Sequence, residues 1–235
     1  MTPFTKIDRP PAAENWSRLQ NPQVDRTARN IFNFVRSSPV WNYNPSRKAA
    51  RFYIEDGISR EMGLKVATMK GNPLGHKYNV EVVHAWFDMV AKTPIEGVRA
   101  FDRLDERLPI GPGLFVPVKP LTVIREGGQF APIFFNPWSE IAFDDFQASL
   151  YMTALEASIF RLTDFEDSPG RIIFLPKIVC GSGEKHRRPV VWERGQHTLL
   201  SQAELNDQIR VFCESKEIAR KMYAEYLERQ SAHNS

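Results

Sequence analysis

LFVPVKPLTVIREGGQFAPIFFNPWSEIAFDDFQASLYMTALEASIFRLTDFEDSPGRIIFLPKIV, residues 114–179, decides how the rest of the chain is read. Two apolar runs, LFVPVKPLTVIRE and QFAPIFFNPW, flank Gly127 and Gly128, which is the pattern of two adjacent strands joined by a tight turn. Asn136 and Pro137 then offer a cap and a first-turn proline for a long helix. Ile141, Ala142, Phe146, Leu150, Thr153, Ala154, Ala157 and Phe160 recur at helical spacing as its inward stripe. DFEDSPGR ends that helix with acids, a proline and a glycine, and RIIFLPKIV follows as a third strand.

Upstream, residues 1–22 carry Pro3, Pro10, Pro11 and Pro22 with little periodicity and predict an extended arm. Trp16 argues that the arm is docked, because a large aromatic ring is costly to leave in water. DRTARNIFNFV, from Asp25, spaces Ala28, Ile31, Phe32 and Val35 as a helix that stops at Ser37, Ser38 and Pro39. Asn44 and Pro45 predict the start of a second helix running through SRKAARFYIEDGISREM, with Gly57 weakening its middle. KGNPLGHK is a loop, and YNVEVVHAWFDMVAK is an amphipathic helix with Val80, Val83, His84 and Phe87 inward. Residues 102–113 read as a charged, then Pro/Gly-rich connection. Near the C-terminus, Ser201 with Glu204 forms a capping box, and helix is expected to Gln230 with a bend near Glu214 and Ser215.

The composition, 42% hydrophobic and 25% charged, is that of a globular chain rather than a disordered one. Apolar runs are too short to cross a bilayer, and the first residues lack the apolar segment of a signal peptide, so no membrane partner and a cytoplasmic location are expected. Cys180 and Cys213 are too few and too far apart for a zinc site or a disulfide framework, and read as buried or idle thiols. The net charge of +3 permits anionic partners. Its distribution is more telling, since Arg36, Arg47, Lys48, Arg51, Arg60, Lys65, Lys70 and Lys77 are interleaved with Trp41, Tyr43, Phe52, Tyr53 and Tyr78. A second basic group, Lys185, His186, Arg187 and Arg188, follows the third strand in a glycine-bearing loop.

The order helix, two adjacent strands, long helix, strand, over roughly Tyr78 to Val179, resembles the core of the restriction-endonuclease-like superfamily, whose motif is written PD-(D/E)xK. That resemblance implies an α/β fold with a small mixed sheet flanked by helices, carrying helical N- and C-terminal extensions. From this and the readings above, the chain is expected to divide into an arm (1–22), a helical basic region (23–77), the nuclease-like core (78–200) and a C-terminal helical segment (201–235). The resemblance also implies magnesium bound by an aspartate on one strand and a carboxylate on the next, with a lysine steadying the attacking water. Here Glu81 stands at the position of the helix glutamate, but KPLTV (119–123) puts Leu121 where the aspartate belongs. Phe134 or Phe135, Asn136, and Pro137 or Trp138 occupy the carboxylate and lysine positions. Leu, Phe and Trp supply no oxygen ligands to magnesium.

The expectation is therefore a non-catalytic nucleic-acid-binding or scaffold protein of a nucleic-acid-processing assembly, from a mobile element or a defence system, with no cofactor. Arg47, Lys48, Arg51, Lys185, Arg187 and Arg188 are the candidate phosphate contacts. The competing reading is a magnesium-dependent nuclease with a migrated site built from Glu81 and some of Asp164, Glu166, Asp167 and Lys177. A structural subunit docking through its helices on another protein, or on a second copy, is the third. Asp144 and Asp145 at a helix start suit the macrodipole, whereas Asp164, Glu166 and Asp167 at its end oppose it and hint at a cation or a basic partner. His84, three residues after Glu81, makes only half of a paired carboxylate metal centre and is expected in or near the core. His76, His186, His197 and His233 fall in loops or the tail and form no catalytic ordering. CGSGEKH lacks the spacing of a phosphate-binding loop.

Overall fold

The computed structural model describes residues 3–37, 40–69, 71–95, 98–99, 104–179, 181 and 183–233. Lys70 and Cys180, singled out from the sequence, lie outside them. The chain is mixed α/β. A mixed sheet runs in the order β1 (Val98–Arg99), β4 (Thr122–Glu126), β5 (Gln129–Asn136), β6 (Arg171–Phe174) and β9 (Val190–Glu193). The β4–β5 pair is an antiparallel hairpin with Glu126 opposite Gln129. Both linking glycines have positive φ, 57° at Gly127 and 86° at Gly128, the backbone a two-residue hairpin turn demands. Between β5 and β6 the chain crosses over through α7 (Asp145–Leu155) and a closing π turn (Glu156–Phe160), so these two strands are parallel, with Asn136 opposite Phe174.

Helices cover both faces of this sheet, which is why its central strands are almost continuously apolar. Val123, Phe134, Ile172 and Phe174 point into one core, shared with α7, α2 (Ala13–Leu19), α3 (Val24–Arg36) and α8 (Gln202–His233). Ile124, Ile133, Phe135 and Ile173 point into the other, built with α4 (Asn44–Asp56), α5 (Arg60–Met69) and α6 (His76–Lys92). The alternation along each strand is the period of two that a pleat imposes.

Several expectations are corrected. The proline-bearing stretch 1–22 is not extended: α1 (Pro3–Asp8) and α2 form there, and Trp16 is fully buried, edge-on to Phe212 of α8 at 5.9 Å. Its prolines fall in or beside short helices that packing stabilises, and local periodicity is too brief to announce them. Gly57 does not sit inside a helix but terminates α4 in the left-handed region, donating its N–H to the Tyr53 carbonyl, before α5 begins. Part of the connection 102–113 is a strand, β2 (Glu106–Gly111), paired with β3 (Leu114–Val118) in a separate ribbon whose Leu108, Ile110, Val116 and Val118 enter the first core. The expected strand 114–126 is thus two strands broken at Lys119–Leu121, and RIIFLPKIV is likewise split at Leu175–Pro176 into β6 and β7 (Lys177–Val179). α7 is capped by Asp144 with Gln147 in a reciprocal capping box, not by Asn136. The Ser201–Glu204 box stands as read, and α8 is one continuous helix to His233. Ser215, near the expected bend, is buried and donates to the Val24 carbonyl.

Trp16 is the anchor by which α2 joins the first core. Trp16→Ala is expected to destabilise the fold by about 3–5 kcal/mol, read as a lowered urea midpoint. A change below about 1 kcal/mol would mean that the N-terminal helices are not part of the cooperative core.

Candidate functional site

β5 and β6 are parallel, and ligands of open α/β sheets favour the crevice beyond the carboxyl ends of such strands. Here that end is organised by one buried cation. Arg187 sits on β8 (Lys185–Arg187), the partner of β7 in a two-stranded ribbon, and its side chain is 3% exposed. Its Nη1 donates to the carbonyls of Leu175 (2.6 Å), Pro137 (3.1 Å) and Trp138 (3.4 Å), so it ties the segment after β5 to the segment after β6. Its Nη2 donates to the Tyr43 hydroxyl at 3.1 Å, which also lies 3.1 Å from Ser139 Oγ, and the guanidinium packs over the Tyr43 ring. Carbonyl oxygens left by strand ends are natural acceptors for a guanidinium, whose planar fork satisfies several at once.

Two sequence candidates meet beside it. Lys177 Nζ lies 2.5 Å from Glu81 Oε2, and Arg187 Nε faces the same oxygen at 3.8 Å. Lys177 also lies over the Tyr78 ring at 5.4 Å. Glu81, His84, Asp88 and Lys92 on α6, with Lys185, His186 and Arg187 on β8, line a cleft of about 410 Å³. His84 is exposed on this cleft, not inward as its spacing suggested; Val82, Val83 and Trp86 take the core positions of α6.

The residues do not fit the magnesium site that the resemblance implies. Leu121 packs against the second core and Phe135 is fully buried within it, while Asn136 is 2% exposed and its side chain hydrogen-bonds the buried Tyr151. Glu81, the one helix acid at the expected place, is held by two cations, an arrangement that favours an additional anion over a divalent metal. Nor do the other candidate acids reach it. Asp164, Glu166 and Asp167 are exposed before the start of β6, whereas Lys177 follows its end. Those ends lie about 10 Å apart at roughly 3.3 Å per residue. Arg194 meets this turn through its backbone, donating to the carbonyls of Phe165, Glu166 and Ser168, and forks onto Glu156 at 2.7 and 2.8 Å, while the carboxylates of Asp164, Glu166 and Asp167 are in exposed residues. Among the described residues, no group of three or more His, Cys, Asp or Glu could hold a metal ion.

The basic candidates separate into distinct environments. Arg187 is an internal structural cation and is withdrawn as a phosphate contact. Arg47 is half-buried and paired with Glu14 at 3.2 Å, and Arg51 pairs with Glu55 at 3.0 Å. Lys48 is exposed over the Phe52 ring, 5.0 Å away. Lys185 and Arg188 are exposed on the β7–β8 ribbon, beside the exposed Ile178 and Val179. Cys213 is partly buried against the Ile110 carbonyl, and burial pushes its thiol pKa up, in keeping with an idle thiol.

Sequence reasoning named Trp41, Tyr43 and Tyr78 but missed the aromatic wall that they form with Trp138 and Arg18. Trp41 stacks face to face on Tyr78, with centroids 4.5 Å apart and planes 4° apart, and stands edge-on to Tyr43 at 5.0 Å. Arg18, on α2, lies over the Trp138 ring at 4.9 Å. The interleaving of aromatic and basic residues after Val40 was the available signal. The contribution of α2 was not, since it comes from a segment 20 or more residues away.

No family model matches the chain, and no curated protein or solved structure matches it. No helix among the described residues is long and apolar enough to cross a membrane.

Arg187→Met, of similar length but without donors, is expected to destabilise the fold by about 3 kcal/mol because it strands several acceptors and removes a partner of Glu81. Arg187→Lys should recover only part of this, since an ammonium cannot span the same fork. Denaturant midpoints of the two variants check both statements; an unchanged midpoint for Arg187→Met would contradict them.

Proposed function

We propose that the chain is a non-catalytic nucleic-acid-binding or scaffold protein, one component of a nucleic-acid-processing assembly of the kind found in mobile elements and defence systems. The observation that carries this reading is the β7–β8 ribbon, which projects from the sheet end as a basic, exposed element on a rigid base. Residues 177–188 hold four Lys or Arg against the single acid Glu184. Arg187 fixes the base of this ribbon, leaving Lys185 and Arg188 in solvent at its rim, beside Lys92 on the opposite wall of the cleft. Fixed lysines and arginines neutralise phosphates and release their counterions without reading sequence.

With β1 and the β2–β3 ribbon interposed after α6, the succession α6, β4–β5 hairpin, α7 and β6 supports a nuclease-like origin for this core. Its apolar residues at the metal-binding positions support the loss of cleavage. Glu81 beside Lys177 is the one feature that favours a metal-dependent nuclease instead. Magnesium- or manganese-dependent cleavage that disappears in Glu81→Ala would establish that reading and overturn ours.

Binding is tested by anisotropy of a labelled oligonucleotide across 50 to 200 mM salt. The logarithm of affinity should fall linearly with the logarithm of salt concentration, and Lys185→Ala with Arg188→Ala should lower the slope by about one per phosphate contact removed. Affinity that is absent at 50 mM, or indifferent to salt, contradicts the proposal.

A further inference from the structure

A second cleft, about 490 Å³ in volume, shares no lining residue with the first but is tied to it by Arg187, which donates to the Tyr43 hydroxyl and to the carbonyls of Pro137 and Trp138 on its wall. Its walls come from elements distant in sequence: Arg18 from α2, Trp41, Tyr43 and Arg47 around the start of α4, and Trp138 after β5. The volume is within the roughly 300–1,000 Å³ of small-molecule sites, and the lining combines flat rings with guanidinium groups.

Resting on the nucleic-acid reading above, we infer that this cleft receives one unpaired nucleotide, a base against the aromatic wall and its phosphate at Arg18. Three observations carry this. First, the aromatic wall is built before any ligand arrives: Trp41 is backed by Tyr78 on one face, and its side chain lies so close to Gly75 that a Cβ there would come within 2.8 Å of it. Tyr43 is held by Arg187 and Ser139. Rings that need no ordering lose little entropy when a base stacks on them. Second, Arg18 is short of partners for a partly buried guanidinium. It makes one side-chain hydrogen bond, to Asn15 Oδ1 at 3.2 Å, and no carboxylate of the described residues lies within ion-pair distance of it. Burial lowers its pKa more than the more distant Glu140 and Glu14 raise it, and an incoming phosphate would meet a partly buried guanidinium with most of its N–H groups unused. Third, Asn42 and Asn44 on the rim bring amide groups able to meet a base edge. A base within a duplex keeps both faces stacked on its neighbours and cannot offer one to these rings, so the site selects unpaired strands. The ribbon would hold the backbone while this cleft holds the base.

The test uses the full chain and two probes, an oligothymidine single strand and the same strand annealed to its complement. Trp41 and Trp138 line the cleft, so single strand should quench tryptophan fluorescence and bind more tightly than duplex. Trp138→Leu should weaken single-strand binding about tenfold and leave duplex binding unchanged. Arg18→Gln should do the same through the phosphate, and it reads the outcome if Trp138→Leu loses its fold. Lys185→Ala with Arg188→Ala should weaken both probes. If Arg18→Gln and folded Trp138→Leu bind single strand as the parent chain does while the ribbon variants are impaired, the cleft assignment is overturned and the nucleic-acid reading stands. If no probe binds in a salt-dependent way, both fall.

Discussion

The end of the sheet that carries both clefts is held together by the Arg187 guanidinium. Strands β5 and β6 run parallel and therefore release their chain ends at the same place, leaving carbonyls of Pro137, Trp138 and Leu175 without strand partners. A buried carbonyl without a donor costs free energy comparable to a lost hydrogen bond. Arg187 answers three of them together and reaches Tyr43 as well, so one side chain couples α4, the two strand ends and the β7–β8 ribbon. Its own charge is balanced in part by Glu81.

That coupling sets the electrostatics of the region. Glu81 is shared by Lys177 and Arg187, so the carboxylate is spent inside the protein and the surplus charge around it is positive. The two clefts each draw on one segment, Pro137–Ser139, or on residues fastened to it. An anionic strand lying across the sheet end would meet lysine and arginine on the ribbon side and aromatic rings with guanidinium groups on the α2 side. The opposite end of β6 is closed by Arg194, which gathers three loop carbonyls and the Glu156 carboxylate while the acids at 164, 166 and 167 stay exposed.

Much of the scaffold was legible in the sequence because it follows from short-range rules. Paired glycines at 127 and 128 marked the hairpin, apolar runs on either side of them marked its strands, and Ser201 with Glu204 marked a helix start. Errors arose where two local signals competed. Asn136–Pro137 and Asp144 both suited a helix cap, and the strand β5 continued through the first of them. Gly57 read as a weak point, although a left-handed terminus suits glycine better than any other residue. The site was far less legible. A basic run such as KHRR shows charge but not partners, and nothing in it distinguishes Arg187, buried among carbonyls, from Arg188 in solvent. His84 faced outward because Val83 and Trp86 already filled the core positions around it. Arg18 joined the aromatic wall through a fold of the N-terminal segment that periodicity did not disclose.

The most direct measurement is hydrogen-exchange protection of the full chain with and without a saturating single-stranded oligonucleotide. The account predicts new protection confined to the sheet end: residues 41–47, 137–139 and 177–188, with α8 and the acidic turn 164–167 unchanged. Protection centred on α8 or on that turn, with the ribbon and the aromatic wall unaffected, would contradict it.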